Sequence, residues 1–537
     1  MDYSLRHQFR LAPAPAGPSL IQAAQARYAA GAITEARALC ERALAADPND
    51  VMALHLLGVI LTHHGDPASA VERLETAALL CADDGQLRYH LGNALLAAGR
   101  DADAAEAFAQ AIALDPGLAD AHNNRGNALR RTGRMVAALD AYRAALALRP
   151  GFAPALYNMG VALAGFGEFA AAIDCYRAVL AAPPAPGEAE KHPLVLESLA
   201  AALVERSEHE QAIAADRAWL ALEPGAAKAE WNLSLSLLAL GRYAEAWPLY
   251  ERRWEIEGFR NEAERDQPLP VIPDLAACAG RSVLIRREQG RGDVLHFIRY
   301  AALLARHARH VGLSTYPDQV ALLARSPGLD EVVPEDGPEP AHDLAVSLMS
   351  LPLMFGTTVE TIPAPLPYLI ADPAAVARWQ TRLPPARLRV GLCWWGSSHS
   401  RRSSIPLPEL APLFAEEEVG FHALQIELPR DQRDFALGTG RIALHDAELP
   451  DFDATAALIG ALDLVISVDT SVAHLAGGMG KPVWIMLRDS PDWRWMQGRN
   501  DSPWYPTARL FRQGRDRDWA PVVAAVRAAL RARLAEG

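Results

Sequence analysis

Residues 463–487 read DLVISVDTSVAHLAGGMGKPVWIML. Two apolar runs, each the length of one buried strand, flank a segment that opens on Asp469, Thr470 and Ser471 and closes on Gly480, Lys481 and Pro482. The spacing predicts a strand LDLVISV, a helix SVAHLAGGM, and a second strand VWIML. Gly478 and Gly480 end the helix and Pro482 keeps it from resuming. An acid and two hydroxyls therefore sit where a strand gives way to a helix, and the free N–H groups of such a first turn suit a diphosphate.

The same alternation extends toward the N-terminus through SVLIRRE, DVLHFIRYAALLARHA, VGLSTY, LRVGLCWWG and FHALQI. Strands alternating with helices predict parallel sheets covered on both faces. About 260 residues of this pattern suffice for two doubly wound units. The proline-rich stretch 366–390 marks the expected boundary, giving halves over 275–375 and 386–537. Two such halves place a ligand in the cleft beyond their strand C-terminal ends. A polar connector from about Glu257 to Pro273 precedes them.

Before that connector the chain repeats itself. Gly31, Gly65, Gly99, Gly133 and Gly167 stand 34 residues apart, as do Gly58, Gly92, Gly126 and Gly160. A 34-residue period with helix–turn–helix chemistry is the tetratricopeptide signature. In the third unit Gly92 admits a close second helix, Ala104, Phe108 and Ala111 fill the seam, and Pro116 stops the pair. Units start near residues 17, 51, 85, 119 and 153, and after an insertion at 187–192 again near 193 and 227. The prediction is seven helix pairs over 17–260, stacked into a superhelix because no pair buries its apolar face alone. Asn124, Asn158 and Asn232 recur at one slot, with His90 in the third unit. Side-chain amides there can grip an extended peptide, or they can be ordinary helix residues; both readings stand.

Bulk properties narrow the function. The 537 residues carry 52 Lys and Arg against 65 Asp and Glu, a net charge of −13. That balance argues against a nucleic-acid partner, which needs clustered basic residues. The five cysteines form no close pair and no metal-like spacing, which fits free thiols in a reducing cytoplasm. The opening MDYSLRHQFRLAPAPAGPSL lacks the continuous apolar core of a secretory leader. No run of ~18 apolar residues predicts an integral membrane segment.

Three blocks, QGRGDVLHFIRYA (289–301), GLCWWGSSHSRRS (391–403) and VDTSVAHLAGGMGKPVW (468–484), together resemble the heptosyltransferase-related glycosyltransferases of family 9. The closing block 492–513, DWRWMQGRNDSPWYPTARLFRQ, resembles the branch that carries N-terminal tetratricopeptide repeats. The architecture is also similar to that of O-GlcNAc transferases. The fold class implied is an all-α tetratricopeptide superhelix followed by an α/β, GT-B-like pair of doubly wound Rossmann-like domains.

The resemblance implies a nucleotide-sugar co-substrate, no cofactor, and no metal. No Asp-x-Asp is placed to clamp a metal on a diphosphate. In the first block Gly290 and Gly292 permit a sharp turn, and Asp293 occupies the position of the family's proposed catalytic base. An aspartate there also caps a helix, and the two roles can coexist. In the last block Asp469 braces the loop while Thr470 and Ser471 hold the diphosphate. His474, three residues on, either donates to phosphate or packs within the helix. In the middle block Arg401 or Arg402 offsets leaving-group charge, with Arg402 the catalytic candidate and Gly396, Ser397 and Ser403 beside it. The family often uses lysine here, and this chain has none between Lys228 and Lys481. Gln425, after the strand FHALQI, joins the nucleotide-sugar contacts. Trp493, Trp495, Trp504 and Tyr505 are expected to pack a terminal helix.

The expected function is a cytoplasmic, metal-independent, inverting glycosyltransferase acting on a hydroxyl acceptor, with the repeats recruiting a protein. The rival is a scaffold whose second half binds nucleotide without turnover. A third reading is transfer to a lipid or polysaccharide carrier.

Overall fold

The computed structural model describes residues 19–182, 192–259, 273–396 and 404–536. The repeat period becomes helix pairs whose first helices begin at Leu20, Val51, Gly85, Ala119, Ala153, His192 and Ala227. These starts match the predicted register. The seam glycines are small for a steric reason: a Cβ on Gly92 would stand 2.5 Å from the Phe108 ring, and one on Gly126 2.5 Å from the Tyr142 ring. The turn between paired helices passes through the left-handed region, as at Gly99, φ +72°. In the sixth pair Ser207 occupies the same turn at φ +57°.

The chain divides into two compact units, 1–202 and 203–537. The division falls inside the helical array, whose last helix ends at Tyr250. The first unit is helical, with one continuous core running from Ala24 to Ala162. The second unit combines the helices His209–Leu222, Ala227–Ala239 and Tyr243–Tyr250 with everything that follows. The reason is visible at Arg253, which is fully buried beyond the last repeat helix. It donates to Glu288 at 2.6 and 2.8 Å and to Ser350 at 3.0 Å. A guanidinium satisfied this way holds those helices to the loop after the first strand.

Two all-parallel sheets follow. The first comprises β1 (Ser282–Arg286), β2 (His310–Thr315), β3 (Glu331–Pro334) and β4 (Leu344–Ser347), in the order β3-β2-β1-β4. The second comprises β5 (Leu388–Cys393), β6 (Val419–Ala423), β7 (Ile442–Ala443), β8 (Leu464–Val468), β9 (Val483–Leu487) and β10 (Ala508–Arg512). Its order is β10-β9-β8-β5-β6-β7. Strand order reverses between β1 and β4 and between β5 and β8. In open parallel sheets, loops at such reversals line a crevice beyond the strand C-termini.

β3, β4, β7 and β10 escaped the sequence pattern, the first three because two to four residues leave no period to read. The helical stretch expected over 293–308 is broken into Arg291–Phe297, a tight turn Ile298–Tyr300, and Ala301–Leu304. Within the tight turn the buried Arg299 donates through Nε to the His296 carbonyl at 2.9 Å.

Candidate functional site

The two reversal loops meet. After β1 the chain runs through Gln289, whose φ of +60° is left-handed although it carries a side chain. Its amide donates to the Tyr250 hydroxyl at 2.7 Å and its carbonyl accepts from Tyr316 at 2.6 Å. Held in this way, the loop delivers Gly290, Gly292 and Asp293 to the first turn of the helix Arg291–Phe297. After β8, Asp469 and Thr470 lead into the helix Ser471–Gly478. A Cβ on Gly292 would lie 3.1 Å from His474 Cδ2 and 3.5 Å from Ser471 Cα. The first turns of the two helices are thus in close contact, and a side chain at 292 would press on the His474 ring.

Asp293 serves as a cap and more. Its Oδ2 accepts from the Gly290 N–H at 2.8 Å, and its Oδ1 from Arg494 at 2.6 Å. The carboxylate remains 19% exposed. Burial raises its pKa above the usual aspartate value, against the pull of Arg494 and the Gly290 N–H.

Asp469 is half-buried, and its pKa is pushed up to about 7 by burial and by the neighbouring Asp492. Thr470 is the N-cap of the helix Ser471–Gly478, yet no side chain caps that helix. The Thr470 hydroxyl is instead 3.0 Å from Ser467 Oγ and 3.6 Å from Cys393 Sγ. Other helices of the same sheet do have side-chain caps, for example Asp451 bonded to the Ala454 N–H at 2.8 Å. The Ala473 N–H of that first turn bonds the Thr470 carbonyl at 3.0 Å, so an anion there would meet the N–H groups of Ser471 and Val472.

Arg494 was not singled out from the sequence. It is 6% exposed on its side chain and bridges Asp293 to Asp492, the latter at 2.9 Å. Burial works against its charge, but Asp492 and Asp293 outweigh it and hold the guanidinium firmly protonated. Its Nε has no hydrogen-bond partner. It lies over the Trp493 ring at 4.4 Å. The readable signal was an arginine between two tryptophans, two residues after an aspartate, the pattern of a stacked and paired guanidinium.

His474 is packed and bonded. Its Nδ1 lies 2.8 Å from the Tyr505 hydroxyl, and its ring stacks on Trp495 at 5.3 Å and 12°. His296, also overlooked in the sequence, reaches the same hydroxyl through Nδ1 at 2.7 Å. Gln425 turns its carbonyl oxygen toward the β5 loop, accepting from the Trp395 N–H at 3.1 Å, so it braces that loop. The Gly396 N–H donates to Ser404 at 3.0 Å. Ser397, Arg401, Arg402 and Ser403 lie outside the described residues. The aromatic cluster packs as expected but against other partners. Trp504 donates to the Tyr243 hydroxyl at 2.9 Å and Trp493 meets Trp247 edge-on at 5.7 Å, so it covers the last repeat helices instead of a terminal helix.

In the first unit the slot residues Asn124, Asn158 and His90 bond side chains of the preceding repeat. Asn124 donates to Asn93 at 2.8 Å, Asn123 to Asn124 at 2.9 Å, and Asn158 to Asn123 at 2.9 Å. His55 and His90 face each other at 2.6 Å. These side chains tie successive repeats together, which is the structural one of the two readings.

Tetratricopeptide-repeat family models match residues 64–119, 89–153, 137–189 and 157–227, and a second such model matches 27–89. The helical array is a tetratricopeptide array. Among curated proteins, protein FlbA of Caulobacter vibrioides (strain ATCC 19089 / CIP 103742 / CB 15) is 27% identical over 326 residues, 55% of this chain and 53% of FlbA. The chain thus spans about half the length of that relative. Among solved structures, the crystal structure of MamA is similar over 29% of this chain and 92% of its own, at 29% identity and a TM-score of 0.28. YrrB, described as a TPR protein with an unusual peptide-binding site, is similar over 33% of this chain and 89% of its own, at 23% identity and a TM-score of 0.29. Among the described residues, no helix is long and apolar enough to cross a membrane.

Proposed function

We propose that the α/β half is a GT-B-type glycosyltransferase that moves a sugar from a nucleotide-sugar to a hydroxyl, and that the repeats recruit the acceptor, a protein, in the cytoplasm. The observation that carries this reading is the meeting of the two reversal loops, with Gly292 packed on Ser471 and His474. The uncapped turn at Ser471 would hold the diphosphate. Asp293 would take the acceptor proton as the acceptor oxygen bonds to the sugar carbon and the diphosphate leaves from the opposite face. That single displacement inverts the carbon and needs no metal. A buried carboxylate with a raised pKa suits this work near neutral pH. The cation for the leaving group falls to Arg402 or Arg401.

A second reading is a tetratricopeptide scaffold whose transferase-like half binds nucleotide without turnover. The engagement of both Asp293 oxygens, by Arg494 and by Gly290, favours it.

A thermal-shift series with UDP-, GDP-, ADP- and TDP-sugars, followed by assay of Asp293→Asn, separates the two. A ligand at ~100 times its Kd adds about 2.7 kcal/mol of stability. Transferase function requires one of the four to shift the midpoint, sugar to be released or transferred, and Asp293→Asn to bind but not turn over. Binding without turnover in the unaltered chain leaves the scaffold. Full activity of Asp293→Asn removes the assigned base.

A further inference from the structure

The geometry points to a buried relay, His296–Tyr505–His474, that fixes the tautomer of His474 so that its Nε2–H serves as a neutral donor to one phosphate oxygen of the diphosphate. Tyr505 and His296 are then positioning residues. This rests on the diphosphate site proposed above and specifies one of its donors.

A phenol hydroxyl has one proton. The Tyr505 oxygen lies 2.7 Å from His296 Nδ1 and 2.8 Å from His474 Nδ1. Tyr368 stands beside the same hydroxyl, but it gives its own proton to the His296 carbonyl at 3.4 Å and accepts from Arg299 at 2.9 Å, so the Tyr505 proton goes to one ring nitrogen and the other ring donates to Tyr505. The two histidines therefore hold opposite tautomers. In one arrangement His296 Nδ1–H donates to Tyr505, Tyr505 donates to His474 Nδ1, and His474 carries its remaining proton on Nε2. In the other every proton is reversed, and His296 carries an Nε2–H.

Burial chooses between them. His296 is fully buried, and its Nε2 has no hydrogen-bond partner among the described residues. A proton there would be a sealed, unsatisfied donor, which folded proteins rarely tolerate. His474 Nε2 lies against Gly292, 3.8 Å from where a Cβ would stand, between the loops that carry Asp293 and Ser471. That nitrogen lies at the junction of the two loops proposed to hold the anion. The first arrangement is the one that leaves no sealed N–H.

Both rings stay neutral. Burial lowers the pKa of each well below the ordinary histidine value, and the guanidinium groups of Arg299 and Arg494 push in the same direction. A neutral imidazole donates from one nitrogen only, so its tautomer decides whether it can serve an anion at all. Tyr505 is fully buried, and the stacking of Trp495 on His474 keeps the ring from turning over.

The full-length chain carrying 15N-histidine reports the tautomers directly through long-range proton–nitrogen correlation, with His296→Gln and His474→Gln assigning the signals. We expect Nε2–H at His474 and Nδ1–H at His296 at pH 7. The opposite pair overturns the inference and leaves the transferase reading standing. Binding of UDP and of inorganic pyrophosphate is then measured for the unaltered chain, Tyr505→Phe and His474→Gln. Tyr505→Phe should weaken both ligands about tenfold and mix the His474 tautomers. His474→Gln, which keeps a donor, should weaken them less. Unchanged binding in Tyr505→Phe overturns the relay. If Tyr505→Phe does not fold, the His474 tautomer in the unaltered chain decides. Absence of UDP and pyrophosphate binding by the unaltered chain overturns the relay's role together with the site on which it rests.

Discussion

Arg494 donates to Asp293 at 2.6 Å, across 201 residues of sequence, from a side chain only 6% exposed. The same guanidinium holds Asp492, and Asp469 lies within its electrostatic reach. One buried cation thus serves three acids at the point where the two reversal loops meet.

Removing that cation should cost more than removing the acid it holds. Arg494→Gln leaves Asp293 and Asp492 without their partner, and loss of about 3 kcal/mol is expected at pH 7. Asp293→Asn keeps an acceptor for Arg494 and should cost less. The deficit of Arg494→Gln should be smaller at pH 5 than at pH 7, because burial raises the pKa of the Asp293 carboxyl left without its cation. Urea denaturation of both variants at the two pH values measures this; equal costs at pH 7 would exclude the central role of Arg494.

Asp469 makes the second unit sensitive to alkali. Its pKa is about 7 in the fold against an ordinary 3.8, so the folded state holds a proton that the unfolded chain gives up. Stability from this group is complete below about pH 4 and is lost as pH rises through 7. Asp469→Asn removes the loss. Its advantage over the unaltered chain should grow between pH 4 and 8, to no more than about 4 kcal/mol, and less because the site is half-buried and shared with Asp492. Midpoints of both chains at pH 4, 6 and 8 provide the comparison.

The first unit has the opposite sensitivity. His90 is lowered to about 4, chiefly by burial and then by His55, whose ring nitrogen is 2.6 Å away. Below pH 6.5 the unfolded chain binds a proton that the folded pair refuses. Stability present above that pH is lost as pH falls toward 4, by about 1–3 kcal/mol. His90→Asn substitutes the residue type used at the same slot by Asn124 and Asn158. It should flatten this part of the acid dependence, as thermal unfolding at pH 7 and pH 5 would reveal.

The seam between paired helices should tolerate no methyl group. A Cβ on Gly126 stands 2.5 Å from the Tyr142 ring, whose hydroxyl is tied to Asn127 at 2.8 Å. Gly126→Ala should cost about 1–3 kcal/mol by overpacking. Gly58→Ala meets the more adaptable Leu74 side chain and should cost less. Adding Tyr142→Leu to Gly126→Ala should recover part of the loss. Chemical denaturation of the four chains tests the ordering.

Much of the site was legible because its parts are local. Gly290, Gly292 and Asp293 form one turn; Asp469, Thr470, Ser471 and His474 form another. Each was readable from a strand running into a helix. Arg494, His296 and Tyr505 were not, because their roles depend on partners hundreds of positions away. A tryptophan-rich segment reads as packing until a carboxylate is found beside it.

The amino-acid sequence alone determined the helix pairs, their 34-residue register and most of the longer strands of both sheets, because periodicity and turn chemistry act over a few residues at a time. Only the tertiary structure decided that the last repeat helices join the α/β half, where each sheet reverses its strand order, and which acid Arg494 holds. Those choices depend on long-range packing and on the desolvation of charge, and neither leaves a local trace in the chain.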